Sequence, residues 1–537
     1  MAPRVPAEGA VADRTVFSPL RPVPAALLVL AALLAGSPVL FNDFAWDDTY
    51  LVQDNRAIED LSNVADLFEK PWASGVGYGL GEVQNRGYYR PVALASMALD
   101  RFLAGGADPV WFHATNLLIH ALAALALYAW LRAAARPGAG SDSRAERFAF
   151  GVAVLWAVHP VHTEAVALIT YRTSLLAGLF TFLGLWVLVR PAQPGGTWPR
   201  ALAGATCFAT GLLSKETMLV FPALLFLSDA WAGLRLRERW LRIYLPLAVV
   251  AALWFWLRSR VIGGGLYDWF EGLDASQKAL MVPRVFYLYV RLVLLPYPLC
   301  PFYDWDVLGV PDRSRWYEPD ILAGAALLVA APIAIVWTRR RAPRIAFGLA
   351  FFLVGLLPVS HIVPFFDAAA ERFLYVPAVG LILVLVEAVR LLARRWASAR
   401  CRWIPRVAFA VACAAGLGLT VNRLTEWRDS ETILRATRRD FPDSVSANLG
   451  LGRLLMQQER HAEAVIPLRD VTRRSPRLSV GFGLLAAAQA LSGDVRGARD
   501  TLTRAPLPEP RLPSAAEIAR QELLARKAYE RLREIGL

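Results

Sequence analysis

The sequence predicts an all-α protein in which a bundle of about eleven membrane-spanning helices is followed by a short array of helical repeats. Of the 537 residues, 56% are hydrophobic, which is more than an ordinary soluble domain carries. Apolar segments long enough to cross a bilayer recur along the first 424 residues. Beyond them the sequence becomes polar, and prolines recur every 34 residues, at Pro442, Pro476 and Pro510.

The predicted membrane domain is based on apolar segments of about 20 residues, the length that crosses the hydrocarbon core. Their centres lie near residues 31, 121, 152, 182, 207, 224, 252, 328, 354, 382 and 415. We expect the first, Val23 to Leu40, to be retained, because the residues at its end do not suit signal-peptide cleavage. The segment from Pro283 to Leu299 contains Arg284 and Arg291, and we predict that it is interfacial or re-entrant.

Arginines indicate the orientation of this domain, because they concentrate in short cytoplasmic loops of membrane proteins. Four clusters occur: Arg132, Arg136, Arg144 and Arg147; Arg235, Arg237, Arg239 and Arg242; Arg339, Arg340, Arg341 and Arg344; and Arg394, Arg395, Arg400, Arg402 and Arg406. We therefore predict a cytoplasmic tail at 1–22 and a transmembrane domain at 23–424 with a large external loop at 42–109. The clusters also explain the net charge of +13 without nucleic-acid binding.

Two compositional features concern the compartment. Lysine occurs at four positions against many arginines, which favours a GC-rich bacterial genome and hence the inner (cytoplasmic) membrane. The cysteines are Cys207, Cys300, Cys401 and Cys413. They have no metal or redox spacing, so we expect no disulfide framework.

Residues 425–537 are predicted to form an external domain of tetratricopeptide-type repeats. The 34-residue spacing also relates Ala464 to Ala498 and Leu451 to Leu485, and repeats of this length are helix–turn–helix units with small residues between the paired helices. Two full repeats are expected at about 445–478 and 479–512, with half a repeat before them and a capping helix at about 514–534. The array could be a packing scaffold or could bind an acceptor protein or glycan in a concave groove.

The candidate catalytic residues are the adjacent acids Asp47 and Asp48, which follow the first apolar segment. Two carboxylates at a membrane boundary are costly to hold unless water, a cation or a substrate meets them. A carboxylate in that position can act as a general base on a hydroxyl group. We therefore predict a reaction site at the external membrane surface.

A second polar group lies between two spans on the same side and contains His159, His162 and Glu164. A glutamate at the start of an apolar helix is expensive and indicates a functional site. The two histidines have the spacing of metal ligands, but no clear third ligand is near in sequence, so a divalent metal is not favoured. The alternative is an interfacial turn. We assign the group to shaping the site.

Cations on the outer face are candidates for binding a phosphate, since arginine and lysine both suit phosphate oxygens. They are Arg90, Arg172, Lys215 and Arg372. Two of them have an acidic neighbour, Glu216 beside Lys215 and Glu371 beside Arg372, and these acids are assigned to shaping the site. The alternative is that each such pair only neutralises itself.

The first external loop is rich in aromatic residues: Trp46, Tyr50, Trp72, Tyr78, Tyr88 and Tyr89. Such rings either belong to the belt at the membrane interface or stack on a sugar. On the second span His113, Asn116 and His120 share one helical face. We predict that they make buried polar contacts or line a cavity.

An acid pair, several cations and aromatic rings on one membrane face together suit group transfer from a lipid-phosphate donor. One carboxylate would take the proton of an acceptor hydroxyl. The cations would hold the departing phosphate and stabilise its developing charge.

Several runs along the chain carry a family resemblance: Phe44 to Asp48, Tyr89-Arg90-Pro91, His113 to His120, His159 to Val166 with Arg172 behind it, Ser214-Lys215-Glu216, Glu371 to Pro377, and Asn422 to Glu431. With them the chain resembles the transmembrane-and-tetratricopeptide-repeat O-mannosyltransferases, in a bacterial version, within the GT-C glycosyltransferase superfamily. The resemblance implies a polyprenyl-phosphate-linked sugar as donor substrate, with mannose as the sugar, and inverting transfer to a Ser/Thr hydroxyl. It maps the catalytic acid onto the Asp47-Asp48 pair, with Asp48 slightly favoured.

Three hypotheses follow for the function. In the first, the protein glycosylates an external acceptor hydroxyl on a protein. In the second, the chemistry is the same but the acceptor is a lipid or an envelope polysaccharide. In the third, the chain is a non-enzymatic membrane anchor for a repeat scaffold, although such an anchor has no need of the polar residues at the outer face.

Overall fold

The computed structural model of the chain describes residues 20–76, 88–135, 142–189, 197–262, 273–309, 316–361, 367–395 and 403–506. All regular secondary structure in these ranges is helical. The fold is an all-α membrane helix bundle followed by repeat-like helix pairs, as the sequence predicts.

The first part of the fold, up to Glu426, is the membrane bundle. Its longer helices are α1 (Pro22–Gly36), α2 (Pro91–Ala104), α3 (Pro109–Ala134), α4 (Asp142–Ala157), α5 (Arg172–Val189), α6 (Thr197–Leu212), α7 (Phe221–Ala232), α8 (Leu245–Ile262), α9 (Ala275–Leu294), α10 (Pro319–Thr338), α11 (Pro343–Leu356), α12 (Ala378–Arg395) and α13 (Ile404–Glu426). A helix occupies each position where an apolar segment predicts a span. Helices α2 and α9 are additional.

In the described ranges, six helical segments are long and apolar enough to cross a membrane by length and composition: Pro22–Phe41, Pro109–Ala134, Ile169–Val189, Leu236–Ile262, Pro319–Thr338 and Ile404–Glu426. The chain is thus a multi-pass membrane protein. The other five predicted positions hold shorter or more charged helices. Helix α6, for example, has 16 residues and spans about 24 Å, less than the roughly 30 Å of hydrocarbon, because Ser214-Lys215-Glu216 interrupts the apolar run.

Buried aromatic rings hold the centre of the bundle together. The ring of Trp130 on α3 lies 6.3 Å from that of Phe182 on α5 and 5.4 Å from that of Phe351 on α11. Trp156 on α4 meets Phe182 edge-on at 5.4 Å. The outer helices differ, since only 17% of the most apolar windows of α8, α10 and α13 is buried. Their exposed leucines, valines and tryptophans therefore suit lipid.

Helix α9 covers most of the segment that we predict to be interfacial or re-entrant. It begins with a capping box between Asp274 and Gln277 and contains Pro283. It is not among the six segments apolar enough to cross. Arg284 is buried and pairs with Glu318 and Asp320 at the start of α10, so the charge inside this helix is compensated by its neighbour.

The repeats comprise α14 (Ser430–Asp440), α15 (Val445–Gln457), α16 (His461–Arg474), α17 (Ser479–Leu491) and α18 (Val495–Thr503). Helices α15 and α17 begin 34 residues apart, as do α16 and α18. Ala464 and Ala498 are completely buried, so each small residue lies where paired helices touch. Pro510 and the predicted capping helix at 514–534 lie outside the described residues.

Candidate functional site

Two chambers meet beside the segment that carries Asp47. The first, here the polar chamber, has a volume of about 570 Å³ including its open mouth, and its lining includes Asp47, Trp72, Tyr88, Arg90, Tyr171 and Asp367. The second, here the apolar chamber, has about 460 Å³ measured the same way, and its lining includes Ala177, Met218, Val220, Val359, Val376 and Pro377. Lys215, Arg372 and Phe373 line both chambers. A cationic wall therefore joins a polar space to an apolar one.

Of the two adjacent aspartates, Asp47 is the one that lines the polar chamber. It lies in a tight turn between Trp46 and the short helix Thr49–Gln53. One carboxylate oxygen accepts a hydrogen bond from Tyr50 Oη, and Tyr171 Oη lies 3.4 Å from the other. Two phenols thus hold the carboxylate at the chamber wall.

Asp48 points the other way and is fully buried. Its carboxylate accepts hydrogen bonds from the backbone N–H of Ile169 at 2.9 Å and of Thr170 at 2.7 Å, and from Thr170 Oγ1 at 2.5 Å. Burial raises the pKa of this carboxyl to about 7, against the lowering effect of the three hydrogen bonds. The sequence slightly favours Asp48 as the catalytic acid, whereas the structure places it outside both chambers as a clamp on the turn that carries Tyr171.

Lys215 follows the turn after α6, immediately before the short helix Glu216–Val220, and is buried where the chambers meet. Its Nζ donates to Ser174 Oγ at 2.7 Å and lies 5.3 Å from the ring centre of Phe373. In the described part of the chain no carboxylate oxygen comes within 4.0 Å of Nζ. Burial, with the nearby cations of Arg90 and Arg372, lowers the pKa of Lys215 to about 7. An anion beside it would restore its charge.

Arg372 is held from both sides by carboxylates. Its guanidinium pairs with Glu164 and, at 2.5 Å, with Asp367, and its backbone N–H donates to Glu164 Oε2 at 2.7 Å. The guanidinium carbon lies 4.1 Å from the ring centre of Tyr171. Glu164 therefore orients Arg372 toward the chambers. Asp367 is a site residue that the sequence analysis does not single out; its only signal is an acid five residues before Arg372.

Arg90 and Glu216 form a bidentate pair in the wall of the polar chamber, with Nε–Oε2 at 3.0 Å and Nη2–Oε1 at 2.6 Å. The Arg90 guanidinium also stacks over Tyr88 at 3.9 Å. Glu216 thus pairs with an arginine 126 positions away in sequence and not with its neighbour Lys215. Arg90 is therefore a fixed cation, and the ring of Tyr88 covers one face of its planar guanidinium group.

Arg172 lies outside both chambers, in contrast to the predicted phosphate contact. Its side chain is completely buried and pairs with Asp100 on α2 at 2.5 Å. It also donates to Asn116 Oδ1 at 2.7 Å and to the carbonyl of Phe112 at 2.9 Å. The side chain extends into the bundle because it pairs with the buried carboxylate of Asp100. No pattern in the sequence indicates that acid.

Glu371, adjacent to Arg372, faces away from the chambers. Its Oε1 accepts from Cys300 N–H at 2.7 Å and from Tyr303 Oη at 3.1 Å. Burial raises the pKa of Glu371 to about 8. This acid ties the Arg372 turn to the segment that follows α9.

The histidines of the site region serve packing in the described structure. His159 Nε2 contacts the carbonyl of Val293 on α9 at 3.0 Å, and its Nδ1 accepts from Val161 N–H at 3.3 Å. His162 is buried with its ring 4.7 Å from that of Trp156. Among the described residues no group of three or more His, Cys, Asp or Glu side chains could hold a metal ion.

Polar residues on α3 also join neighbouring segments. His120 Nδ1 lies 2.9 Å from Tyr375 Oη and its Nε2 lies 3.0 Å from the carbonyl of Ala157. Asn116 Nδ2 donates to the carbonyls of Val166 and Leu168, each at 3.3 Å. Of the two alternatives for this helix face, the structure favours buried polar contacts.

The site as a whole is a pair of chambers that meet at Lys215 and Arg372, with the carboxylate of Asp47 in the wall of the polar chamber. Human protein O-mannosyl-transferase TMTC1 is 24% identical to this chain, over 84% of this chain and 55% of its own length. Mouse protein O-mannosyl-transferase TMTC4 is 24% identical, over 84% and 67%. Protein O-mannosyl-transferase F38B6.6 of Caenorhabditis elegans is 22% identical, over 80% and 59%.

The chain thus spans about half to two thirds of the length of these relatives. No protein-family model matches the chain, and no solved structure matches it. The similarity is to proteins named as O-mannosyltransferases along most of this sequence.

The buried Arg172–Asp100 pair gives a stability prediction. Arg172→Ala leaves the Asp100 carboxylate buried without its cation, so we expect a loss of about 3–5 kcal/mol in the free energy of unfolding. Thermal and denaturant unfolding of the purified protein in detergent measures it. The control is Arg435→Ala, which removes exposed pairs with Glu431 and Glu463 and should cost at most about 1 kcal/mol. Equal losses in the two variants would contradict the structural role of Arg172.

Proposed function

We propose that this protein is a GT-C-type membrane glycosyltransferase that moves a sugar, mannose, from a polyprenyl-phosphate donor to an external Ser/Thr hydroxyl of a protein. The observation that carries the proposal is the meeting of an apolar and a polar chamber at Lys215 and Arg372. A lipid-linked sugar phosphate has the same three parts in the same order: an apolar chain, an anion and a polar sugar.

The donor lipid fits the apolar chamber. Its walls are largely aliphatic and include Met218, Val220, Val359 and Val376, which suit an isoprenoid chain. The phosphate would lie where the chambers meet. Lys215 offers it a buried ammonium group, and Arg372 offers a guanidinium that two carboxylates hold in place.

The sugar would occupy the polar chamber. The rings of Trp72, Tyr88 and Tyr171 supply flat apolar faces, while Arg90 and Asp367 supply hydrogen-bonding groups around them. Ligand sites of this kind combine aromatic walls with a few fixed polar groups. Arg90 is paired with Glu216, and Arg372 is paired with Glu164 and Asp367. Lys215, whose Nζ contacts the hydroxyl of Ser174, is therefore the cation that would meet the donor phosphate.

Asp47 is assigned the role of general base. It would take the proton of the acceptor hydroxyl as that oxygen forms a bond to the anomeric carbon. The bond from that carbon to the phosphate oxygen breaks, and its electron pair leaves with the polyprenyl phosphate, whose charge Lys215 and Arg372 stabilise. A single displacement from the face opposite the phosphate inverts the configuration. Asp48 does not suit this role, because three donors already occupy its carboxylate.

The relatives support the sugar and the acceptor. Three of them are named protein O-mannosyl-transferases, and their similarity extends over 80–84% of this chain. The arginine clusters support a site on the external side of the inner membrane, with the N-terminus inside and the repeats outside. No metal ion or other cofactor enters the proposed mechanism.

Substitutions of the two aspartates should have different effects in a transfer assay. Asp47→Asn removes the base, and we expect kcat to fall about 10²–10⁴-fold with donor affinity within about threefold, because Asp47 does not face the phosphate subsite. Transfer of labelled mannose from polyprenyl-phosphate-mannose to a Ser/Thr peptide in proteoliposomes measures kcat, and NMR of the product gives the anomeric configuration.

Asp48→Asn is the matched comparison. An amide cannot accept all three hydrogen bonds, so we expect lower thermal stability together with lower activity. Asp47→Asn should leave the thermal stability close to that of the wild type. Wild-type turnover in Asp47→Asn would refute its role as the base, and unchanged envelope-protein glycosylation on deletion of the gene would point to a lipid or polysaccharide acceptor.

Lys215 gives a pH prediction. Burial lowers the pKa of Lys215 to about 7. Raising the pH above 7 therefore removes the charge that attracts the donor phosphate, and kcat/KM for the donor should decline. Lys215→Arg keeps its charge over this range and should flatten that decline, whereas Lys215→Met should be low at every pH. The pH profile of kcat/KM from pH 6 to 9 tests this. The same decline in Lys215→Arg would show that another group titrates.

A further inference from the structure

The junction between the last membrane helix and the first repeat helix contacts the segment that leads to Asp47. Asn42 Nδ2 donates to the carbonyl of Leu424 at 3.1 Å, and Asp43 N–H donates to the carbonyl of Arg428 at 2.8 Å. Trp46 N–H donates to Ser430 Oγ at 2.9 Å. Residues 424–430 form the junction between the last membrane helix and the first repeat helix, so the start of the repeats fixes the path of residues 42–46.

Trp46 has a backbone conformation that depends on its surroundings. Its φ is +51°, in the left-handed region that bulky residues rarely adopt. Such conformations persist where neighbouring structure determines them. The carbonyl of Trp46 accepts from Thr49 Oγ1 at 2.8 Å, which starts the turn that presents Asp47. A change at Trp46 therefore reorients the carboxylate that follows it.

The Trp46 ring lies between the membrane bundle and the repeats. Its centre lies 4.5 Å from that of Phe302, in the segment after α9. On the other side it lies against Gly450 of helix α15. A Cβ atom at Gly450 would lie 3.0 Å from Leu434 Cδ2 on α14, 3.2 Å from Trp46 Cζ3 and 3.4 Å from Trp46 Cη2. The glycine lets the repeat helix approach the indole this closely.

A second contact reaches the opposite wall of the site. Ser446 on α15 donates to the carboxylate of Asp304. The preceding residue, Tyr303, donates to Glu371, which adjoins Arg372. Helix α15 thus contacts the segment behind the base through Trp46 and the segment behind the phosphate-binding arginine through Asp304.

We propose that Trp46 is a positioning residue through which the first repeat sets the orientation of Asp47. The repeats are then part of the catalytic apparatus, whether or not they also bind the acceptor. This inference rests on the proposed function. Repeats that only recruit an acceptor affect the KM for large acceptors, whereas repeats that position the base affect kcat for every acceptor. The chemistry depends steeply on such geometry, since a displacement of about 1 Å can cost roughly 10²-fold in rate.

The test places a wedge on the repeat side of the contact. Gly450→Val in the full chain pushes against both Leu434 and Trp46. Through Trp46 it should lower kcat at least about tenfold for a short Ser/Thr peptide, with the Kd of the donor within about threefold of wild type. The matched control is Gly483→Val on α17, where a Cβ meets nothing within 4 Å, and its kcat should stay near wild type. Gly450→Ala should give a smaller loss, which keeps the series measurable if the valine variant folds poorly.

A compensating change identifies Trp46 as the carrier of the effect. Trp46→Phe shortens the ring that the wedge meets, so the Gly450→Val defect in kcat should be smaller in the Trp46→Phe background than in the wild-type background. Equal kcat in Gly450→Val and wild type, equal losses in Gly450→Val and Gly483→Val, or a defect confined to KM for large protein acceptors would each overturn the proposal.

Hydrogen exchange separates this inference from the proposed function. Gly450→Val should speed amide exchange in residues 45–54 whatever reaction the protein performs, and Gly483→Val should not. Absence of mannose transfer by the wild type would refute the proposed function while faster exchange would still support the coupling. Active wild type with unchanged exchange and unchanged kcat in Gly450→Val would refute the coupling alone.

Discussion

Compensation of buried charge is the constraint on which this structure depends. Arg172 is completely buried and is balanced by Asp100, and Arg372 is balanced by Glu164 and Asp367. A buried charge without a partner is strongly destabilising, and two of these pairs, Arg172–Asp100 and Arg372–Glu164, join segments that are far apart in sequence. The helices around the chambers are therefore located by their ion pairs as well as by apolar packing. Lys215 differs, since its Nζ contacts a serine hydroxyl, and this difference makes it the natural place for a substrate anion.

The two adjacent aspartates illustrate how one motif performs two tasks. Consecutive side chains in the turn after Trp46 point in different directions, so Asp47 faces the polar chamber while Asp48 faces the protein interior. Asp48 binds the turn at Ile169 and Thr170, and that turn presents Tyr171 to both Asp47 and Arg372. The buried acid thus connects the proposed base with the wall that is proposed to bind the phosphate. A reactive carboxylate at a membrane surface needs such support, because catalysis depends on a fixed geometry.

Much of the fold and part of the site follow from the sequence. Apolar segments of sufficient length predicted the helix positions, and the 34-residue spacing predicted the register of the repeat helices. Charged residues near apolar segments cost free energy, which points to a function where they occur. This cost indicates four candidate site residues, Asp47, Arg90, Lys215 and Arg372. Arg172 was assigned to phosphate because sequence alone did not indicate that Asp100, on another helix, would bind it. Asp367 and the division of roles between Asp47 and Asp48 depend on side-chain directions in irregular turns, which no periodic pattern determines. The contact of Gly450 with Trp46 joins residues about 400 positions apart and has no local signal.

The central claim is that a lipid-linked sugar phosphate lies across the two chambers with its anomeric carbon facing Asp47. An electron-microscopy structure of the full chain in lipid nanodiscs, with a non-transferable polyprenyl-phosphonate-linked mannose, tests this most directly. We expect the phosphonate oxygens within hydrogen-bonding distance of Lys215 Nζ, the isoprenoid chain in the apolar chamber and the sugar between Asp47 and the ring of Tyr88. A ligand bound elsewhere in the bundle, or a sugar whose anomeric carbon faces away from Asp47, would contradict the claim.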